Sequence, residues 1–286
     1  MNKKITIVEC PRDAMQGWGR MIPTQVKIDY LQALLTVGFH TLDCVSFVSP
    51  KAIPQMADSA EVLQQLDLTN TTTKLLAIVA NVKGAATAVS FKSICYLGYP
   101  FSISETFQQL NANSTIAESW ERLMHIQELC VQHNKKLVVY ISMGFGNPYG
   151  DAYDATVIGY WIEKMQQLGI EIISLADTVG LASASMVHKV TKATVDAFRQ
   201  LEIGVHLHST SAGFSEKLEA ALIAGCTRID GALKGIGGCP MAQNDLVGNM
   251  DTERIAAYLY TKGYETGLNK QALTEAVLLA GNIFVH

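Results

Sequence analysis

A closed (β/α)8 barrel of the TIM type is the fold class predicted here, on three observations. Eight short apolar, β-branched stretches alternate with longer stretches of helical period. Each of the eight reads as buried on both faces, as parallel strands covered by crossover helices must be. The chain has 286 residues, near the roughly 250 typical of such a barrel. Its first strand-to-helix turn carries no G-x-G-x-x-G, which removes the main argument for an open dinucleotide-binding sheet.

In order, the strands fall at residues 5–9, 41–45, 75–79, 93–97, 137–142, 170–175, 204–208 and 227–231. Helical period fills the intervals, first at 24–37 and 53–66. Pro23-Thr24 opens the first of these and Gly38 follows it; Gly169 and Gly225 close later helices just before strands. That end of the barrel is trimmed tightly. The segments after the strands are longer, at 11–22, 47–54, 98–113, 144–154, 176–184 and 234–248, and long loops at one end mark the working face. Residues 251–262 and 270–283 read as two more helices, one closing the eighth unit and one extra. The whole span 1–286 is expected to be one catalytic domain.

Composition narrows the function classes. A net charge of -4 with dispersed Lys and Arg argues against nucleic acid, and no apolar run approaches the roughly 18 residues that cross a bilayer. The start, Met1-Asn2-Lys3-Lys4 running straight into Ile5-Thr6-Ile7-Val8, reads as a strand and not a signal peptide. Six cysteines, at 10, 44, 95, 130, 226 and 239, contain no C-x-x-C and fit reduced thiols in a cytoplasm. Small, anionic molecules remain as partners; the sequence leaves the oligomeric state open, a homodimer paired through the extra terminal helices being the candidate.

The chemistry gathers at strand ends. In His206-Leu207-His208, alternation sends both imidazoles to one face and Leu207 to the other. Two nitrogen donors on one face make half a metal site. Asp13, just after the first strand, brings a carboxylate to the same rim, and the neighbouring Arg12 is suited to stabilise a developing oxyanion or enolate. The mixed oxygen and nitrogen set suits magnesium or manganese and leaves iron, cobalt and zinc open. Residues 235–240 form a glycine-rich segment with Cys239 near its tip, followed by Asn249 and Glu253 at a helix start, the pattern of a mobile lid.

Several blocks occur together and in order: Pro11-Arg12-Asp13-Ala14-Met15-Gln16, Ser46-Phe47-Val48-Ser49-Pro50-Lys51, Pro54-Gln55-Met56, Ser174-Leu175-Ala176-Asp177-Thr178-Val179-Gly180, His206-x-His208, and Gly237-Gly238-Cys239-Pro240 followed by Gly248-Asn249. Along nearly its whole length the chain resembles the 3-hydroxy-3-methylglutaryl-CoA lyase family. That resemblance implies a divalent metal held by Asp13, His206, His208 and Asn249, and an acyl-CoA substrate. It implies that Arg12, Cys239, His206, Asp43 and Glu253 are catalytic: His206 as base or proton relay, Arg12 beside the thioester oxygen, Cys239 protonating the enolate carbon, and Glu253 supporting the lid. Gln16, Ser46, Lys51, Tyr140, Ser174 and Asp177 are its substrate-binding candidates. For the nucleotide end of CoA, where no phosphate-cradling motif is visible, the candidates are Lys51 and Lys83.

Three departures stand at the working end. Asp43 replaces the family's glutamate, a carboxylate shortened by one methylene. After the histidine pair, Ser209-Thr210-Ser211-Ala212 lacks the family's carboxylate and phenol, partners that usually fix ligand geometry. Gly17 and Trp18 replace a polar pair. The expected activity is therefore cleavage of 3-hydroxy-3-methylglutaryl-CoA or of a related 3-hydroxyacyl thioester. The alternatives are an aldolase or condensing enzyme on the same barrel and a metal-binding relative without turnover. An amidohydrolase is disfavoured, because there the histidine pair comes from the first strand and the aspartate from the last.

Overall fold

In the computed structural model, which describes residues 4–238 and 247–285, β-branched stretches become strands and amphipathic stretches the helices around them. The strands are β1 (Thr6–Glu9), β2 (Thr41–Phe47), β3 (Lys74–Val79), β4 (Ile94–Ser102), β5 (Lys136–Ser142), β6 (Ile172–Ala176), β7 (Glu202–His206), β8 (His208–Ser209), β9 (Arg228–Gly231) and β10 (Gly248–Asn249). Eight of them close in the order β1-β2-β3-β4-β5-β6-β7-β9, every pairing parallel, so the expected barrel is what forms. The remaining two, β8 and β10, pair antiparallel as a short ladder of their own.

The helices are α1 (Pro11–Gln16), α2 (Thr24–Val37), α3 (Ser59–Gln65), α4 (Val82–Ser90), α5 (Glu105–Ala112), α6 (Ile116–Gln132), α7 (Ala155–Gln167), α8 (Ala184–Ala197), α9 (Phe214–Ile223), α10 (Thr252–Thr261) and α11 (Lys270–Ile283). Side-chain caps explain several starts. Thr115 and Glu118 form a reciprocal capping box on α6, while Asp154 and Ser183 cap α7 and α8. The two C-terminal helices form as expected. Beyond α11, Phe284 packs edge-on against Tyr30 of α2, with ring centroids 5.9 Å apart.

Three local readings change. Residues 11–22 are not all loop: Pro11, whose fixed φ suits a first helical turn, opens α1, and this turn carries Arg12 and Asp13. The segment 98–113 is likewise ordered, because β4 runs on to Ser102 and Ser104 caps α5. The seventh barrel strand ends at His206, and His208 instead pairs with Asn249 across the β8–β10 ladder. Of the expected lid, residues 239–246, with Cys239, lie outside the described residues.

Inside the barrel, Leu76, Ile78, Tyr96, Val138, Tyr140 and Ile172 form an apolar cluster separate from the layer between strands and helices. Arg228 is fully buried, and Gly204 lies beside it in register. A Cβ on Gly204 would stand 3.0 Å from Cγ and Cδ of Arg228, so the missing side chain is what admits the arginine stem. Gly204→Val should therefore overpack this layer and cost about 1–3 kcal/mol. Urea unfolding monitored by far-UV circular dichroism measures it, and an unchanged midpoint would show that the arginine yields freely.

Candidate metal and active site

The site begins with three chain segments that end at the same rim. The first turn of α1 follows β1 directly and supplies Arg12 and Asp13. His206 closes β7, its register partner on β9 being Asp230. His208 and Asn249 face each other across the short antiparallel ladder. Although His208 has left the barrel sheet, alternation still sets both imidazoles on one side, with centroids 5.4 Å apart, and buries Leu207.

Donor atoms of Asp13, His206 and His208 all lie within 4.8 Å of one another. Asn249 joins them: its Nδ2 donates to Asp13 Oδ2 at 2.7 Å and to the Ile236 carbonyl at 2.9 Å. That leaves Asn249 Oδ1 buried without a hydrogen-bond partner among the described residues, and neither ring nitrogen of His208 bonded to a side chain. Buried acceptors left bare beside a carboxylate are costly unless a cation completes them. By donor type and spacing the four side chains therefore fit a divalent ion.

Electrostatics prepare the same set. Burial alone would raise the Asp13 carboxyl, but Arg12, His206, the Asn249 hydrogen bond and His208 outweigh it and bring the pKa to about 2. Burial, reinforced by His206, pushes His208 down to about 4, leaving a neutral imidazole with a free lone pair. On His206 burial opposes the proton, yet the hydrogen bond and charge of Asp230, 3.3 Å from Nδ1, lift its pKa. This is the carboxylate–imidazole arrangement that orients a metal-binding histidine.

The other sequence candidates divide clearly. Arg12 is buried and clasps Asp43 with Nε and Nη2, at 3.1 and 2.5 Å to Oδ2, and its Nη1 reaches Asp13 at 3.0 Å and Gln16 at 3.4 Å. The shortened carboxylate at 43 thus still meets the guanidinium directly, with its pKa raised by burial against the pull of Arg12. Ser46, Tyr140 and Ser174 each bury a hydroxyl with no partner among the described residues, and the Tyr140 ring stands edge-on to His206 at 6.0 Å. Asp177 is committed to Lys217. Glu253 accepts the backbone N–H of Lys234 and so holds the base of the glycine-rich segment rather than facing the four ligand side chains. Lys51 and Lys83 are exposed.

Sequence reasoning missed Asp230 and Lys217. Asp230 was legible in principle, since it stands two residues beyond Arg228 on the last barrel strand and shares its face. Nothing in the sequence marked Lys217, which lies on an otherwise ordinary helix.

A parallel barrel with a carboxylate, two imidazoles and an amide converging at the C-terminal strand ends defines a metal-dependent barrel enzyme. The HMGL-like family model matches residues 4–279. The mitochondrial hydroxymethylglutaryl-CoA lyase of Macaca fascicularis is 33% identical over 277 residues, 96% of this chain and 84% of that protein. A 3-hydroxy-3-isohexenylglutaryl-CoA/hydroxymethylglutaryl-CoA lyase of Pseudomonas aeruginosa is 31% identical over 96% of this chain and 91% of its own. Among solved structures, an HMG-CoA lyase from Acinetobacter baumannii in complex with coenzyme A and 3-methylmalate superposes with a TM-score of 0.90 at 29% identity, covering 99% of this chain and 92% of that one. The chain belongs to the HMGL-like family.

One prediction follows from the end of β1, where Glu9 is fully buried and accepts the Leu233 N–H at 2.9 Å. Burial raises its pKa to about 8, so it keeps its proton in the fold through a pH range in which an unfolded chain has lost it. Stability then falls as pH rises from about 4.5 to about 8. Glu9→Gln should remove that loss, gaining on the order of 2–4 kcal/mol on wild type between pH 5 and pH 8. Parallel pH–stability curves from denaturant titrations would count against it.

Proposed function

We propose that the chain is a divalent-metal-dependent carbon–carbon lyase that cleaves 3-hydroxy-3-methylglutaryl-CoA to acetyl-CoA and acetoacetate. The observation that carries this is the convergence of Asp13, His206, His208 and Asn249 at the barrel mouth beside the Asp43-clasped Arg12. Relatives named for this reaction match over almost the whole chain. Magnesium or manganese suits the mixed oxygen and nitrogen donors best. Asp13, His206, His208 and Asn249 would hold the ion, and it would supply Lewis acidity toward the substrate's carboxylate and tertiary hydroxyl.

The rest falls to the chain. The substrate's C3 hydroxyl gives its proton to His206, whose Nδ1 is held by Asp230; for that transfer Asp13, His208 and Asn249 would remain to hold the ion. The C2–C3 bond then breaks, the C3 oxygen becomes the ketone of acetoacetate, and the electron pair remains on acetyl-CoA as an enolate. Arg12, fixed by Asp43, stabilises the thioester oxygen as that charge develops. A proton delivered to the enolate carbon completes acetyl-CoA, a task that this reading gives to Cys239.

A second reading is favoured by one observation. Beside Gln16, an open recess of about 220 Å³ is lined by Trp18, Met21, Ile53 and Pro54 together with Arg20 and Gln55, more room than a 3-methyl group fills. A thioester with a larger apolar 3-substituent, such as the isohexenyl group in the name of the Pseudomonas relative, would occupy it.

The reading further takes the enzyme as cytoplasmic, supported by Cys10, Cys44, Cys95 and Cys130, which form no disulfide among the described residues. It takes the assembly as a homodimer packed through the C-terminal helices, where Tyr260 and Leu278 are exposed. Among the described residues no helix is long and apolar enough to cross a membrane. A nucleic-acid partner is disfavoured by the charge of -4.

With Mn2+ and 3-hydroxy-3-methylglutaryl-CoA, the purified protein should release acetyl-CoA and acetoacetate in equal amounts. Tight Mn2+ binding without cleavage of that thioester or of its 3-isohexenyl analogue would overturn the lyase reading. Arg12→Gln should lower kcat about 10²- to 10³-fold.

A further inference from the structure

One buried ion pair touches the backbone of both metal-facing histidines. We propose that Lys217 is a positioning residue for the cation site: with Asp177 it clamps the chain where it leaves the barrel between His206 and His208, and so aims both imidazoles. This rests on the reading that Asp13, His206, His208 and Asn249 seat a divalent ion.

Lys217 projects from α9 and is buried. Its Nζ donates to Asp177 Oδ2 at 2.9 Å and to the His208 carbonyl at 2.7 Å, with the Gly180 carbonyl at 3.5 Å. Asp177 grips from the other side: its backbone N–H donates to the His206 carbonyl at 2.9 Å, and its Oδ1 accepts the Ala182 N–H at 3.1 Å. The carbonyls of both histidines thus end on the two members of one ion pair. An ammonium suits the task, having several donors on a flexible stem that can reach oxygens lying in different directions.

The aim of His208 depends on this clamp more than on anything bonded to its ring. Among the described residues no side chain bonds either ring nitrogen, the backbone of Thr178 being what the ring meets, so no side chain there orients the imidazole. Ser209 turns its hydroxyl to the Thr210 carbonyl, and Ser211 is exposed. The carboxylate and phenol absent from 209–212 are therefore not replaced from within that segment. With the barrel ladder finished at His206, the His208 carbonyl is a buried acceptor, and Lys217 supplies its donor.

A merely structural ion pair would affect stability alone, so the test reads metal affinity. Mn2+ binding is followed by the electron paramagnetic resonance signal of the free ion, on wild type, Lys217→Met, Lys217→Arg and the double variant Asp177→Asn/Lys217→Met. The double variant removes both charges together and avoids stranding a buried carboxylate. Folding is checked by circular dichroism. The clamp predicts an Mn2+ Kd raised about 10- to 100-fold in the folded Met variants, with partial recovery in Lys217→Arg. Folded Met variants that bind Mn2+ within about twofold of wild type, whatever their Tm, overturn the proposal. A wild type that binds no Mn2+ overturns the cation reading beneath it.

Discussion

The carboxylate of Asp13 is where separate parts of the molecule become one site. It accepts Arg12 Nη1 at 3.0 Å from its own helical turn, Asn249 Nδ2 at 2.7 Å from the β8–β10 ladder, and the Gly238 N–H at 3.2 Å from the glycine-rich segment. The imidazoles of His206 and His208 face it from the seventh unit. Five groups with donor or acceptor capacity cannot gather around one half-buried carboxylate without shifting each other's protons, and the shifts agree. Asp13 is held ionised, His208 is held neutral, and His206 is drawn toward its own carboxylate, Asp230.

This arrangement follows from how the seventh strand ends. Had β7 continued through residue 208, His208 would have remained on the barrel sheet. Instead the chain departs after His206 and enters an antiparallel pairing with the segment that carries Asn249. The break brings an amide from beyond the eighth strand against two histidines from the seventh. It also takes the His208 carbonyl off the barrel ladder and leaves it to a new donor, Lys217.

Much of this was legible in the sequence for definite physical reasons. A period of two along 204–208 places His206 and His208 on one face whether or not the ladder continues. A barrel's strand ends collect the catalytic groups, so Asp13 after β1 belongs to the same rim. What stayed hidden depends on tertiary proximity. The helical turn that carries Arg12 and Asp13 is too short to show a period. Lys217 lies on a surface helix whose pattern says nothing about where its stem bends, and the fit of Arg228 beside Gly204 needs the register of two strands that meet only in the folded barrel. Asp43 is the instructive middle case. Its shortening was evident from the resemblance, whereas its direct clasp on Arg12 required the barrel to bring β2 against α1.

The central claim is that one divalent cation occupies the space enclosed by Asp13, His206, His208 and Asn249. Anomalous diffraction from crystals grown with Mn2+ tests it most directly. The account predicts a single strong peak bonded to those four side chains, with Asn249 presenting Oδ1 to it. A map without a peak there, with Asp13 and the imidazoles turned away from one another, would contradict it.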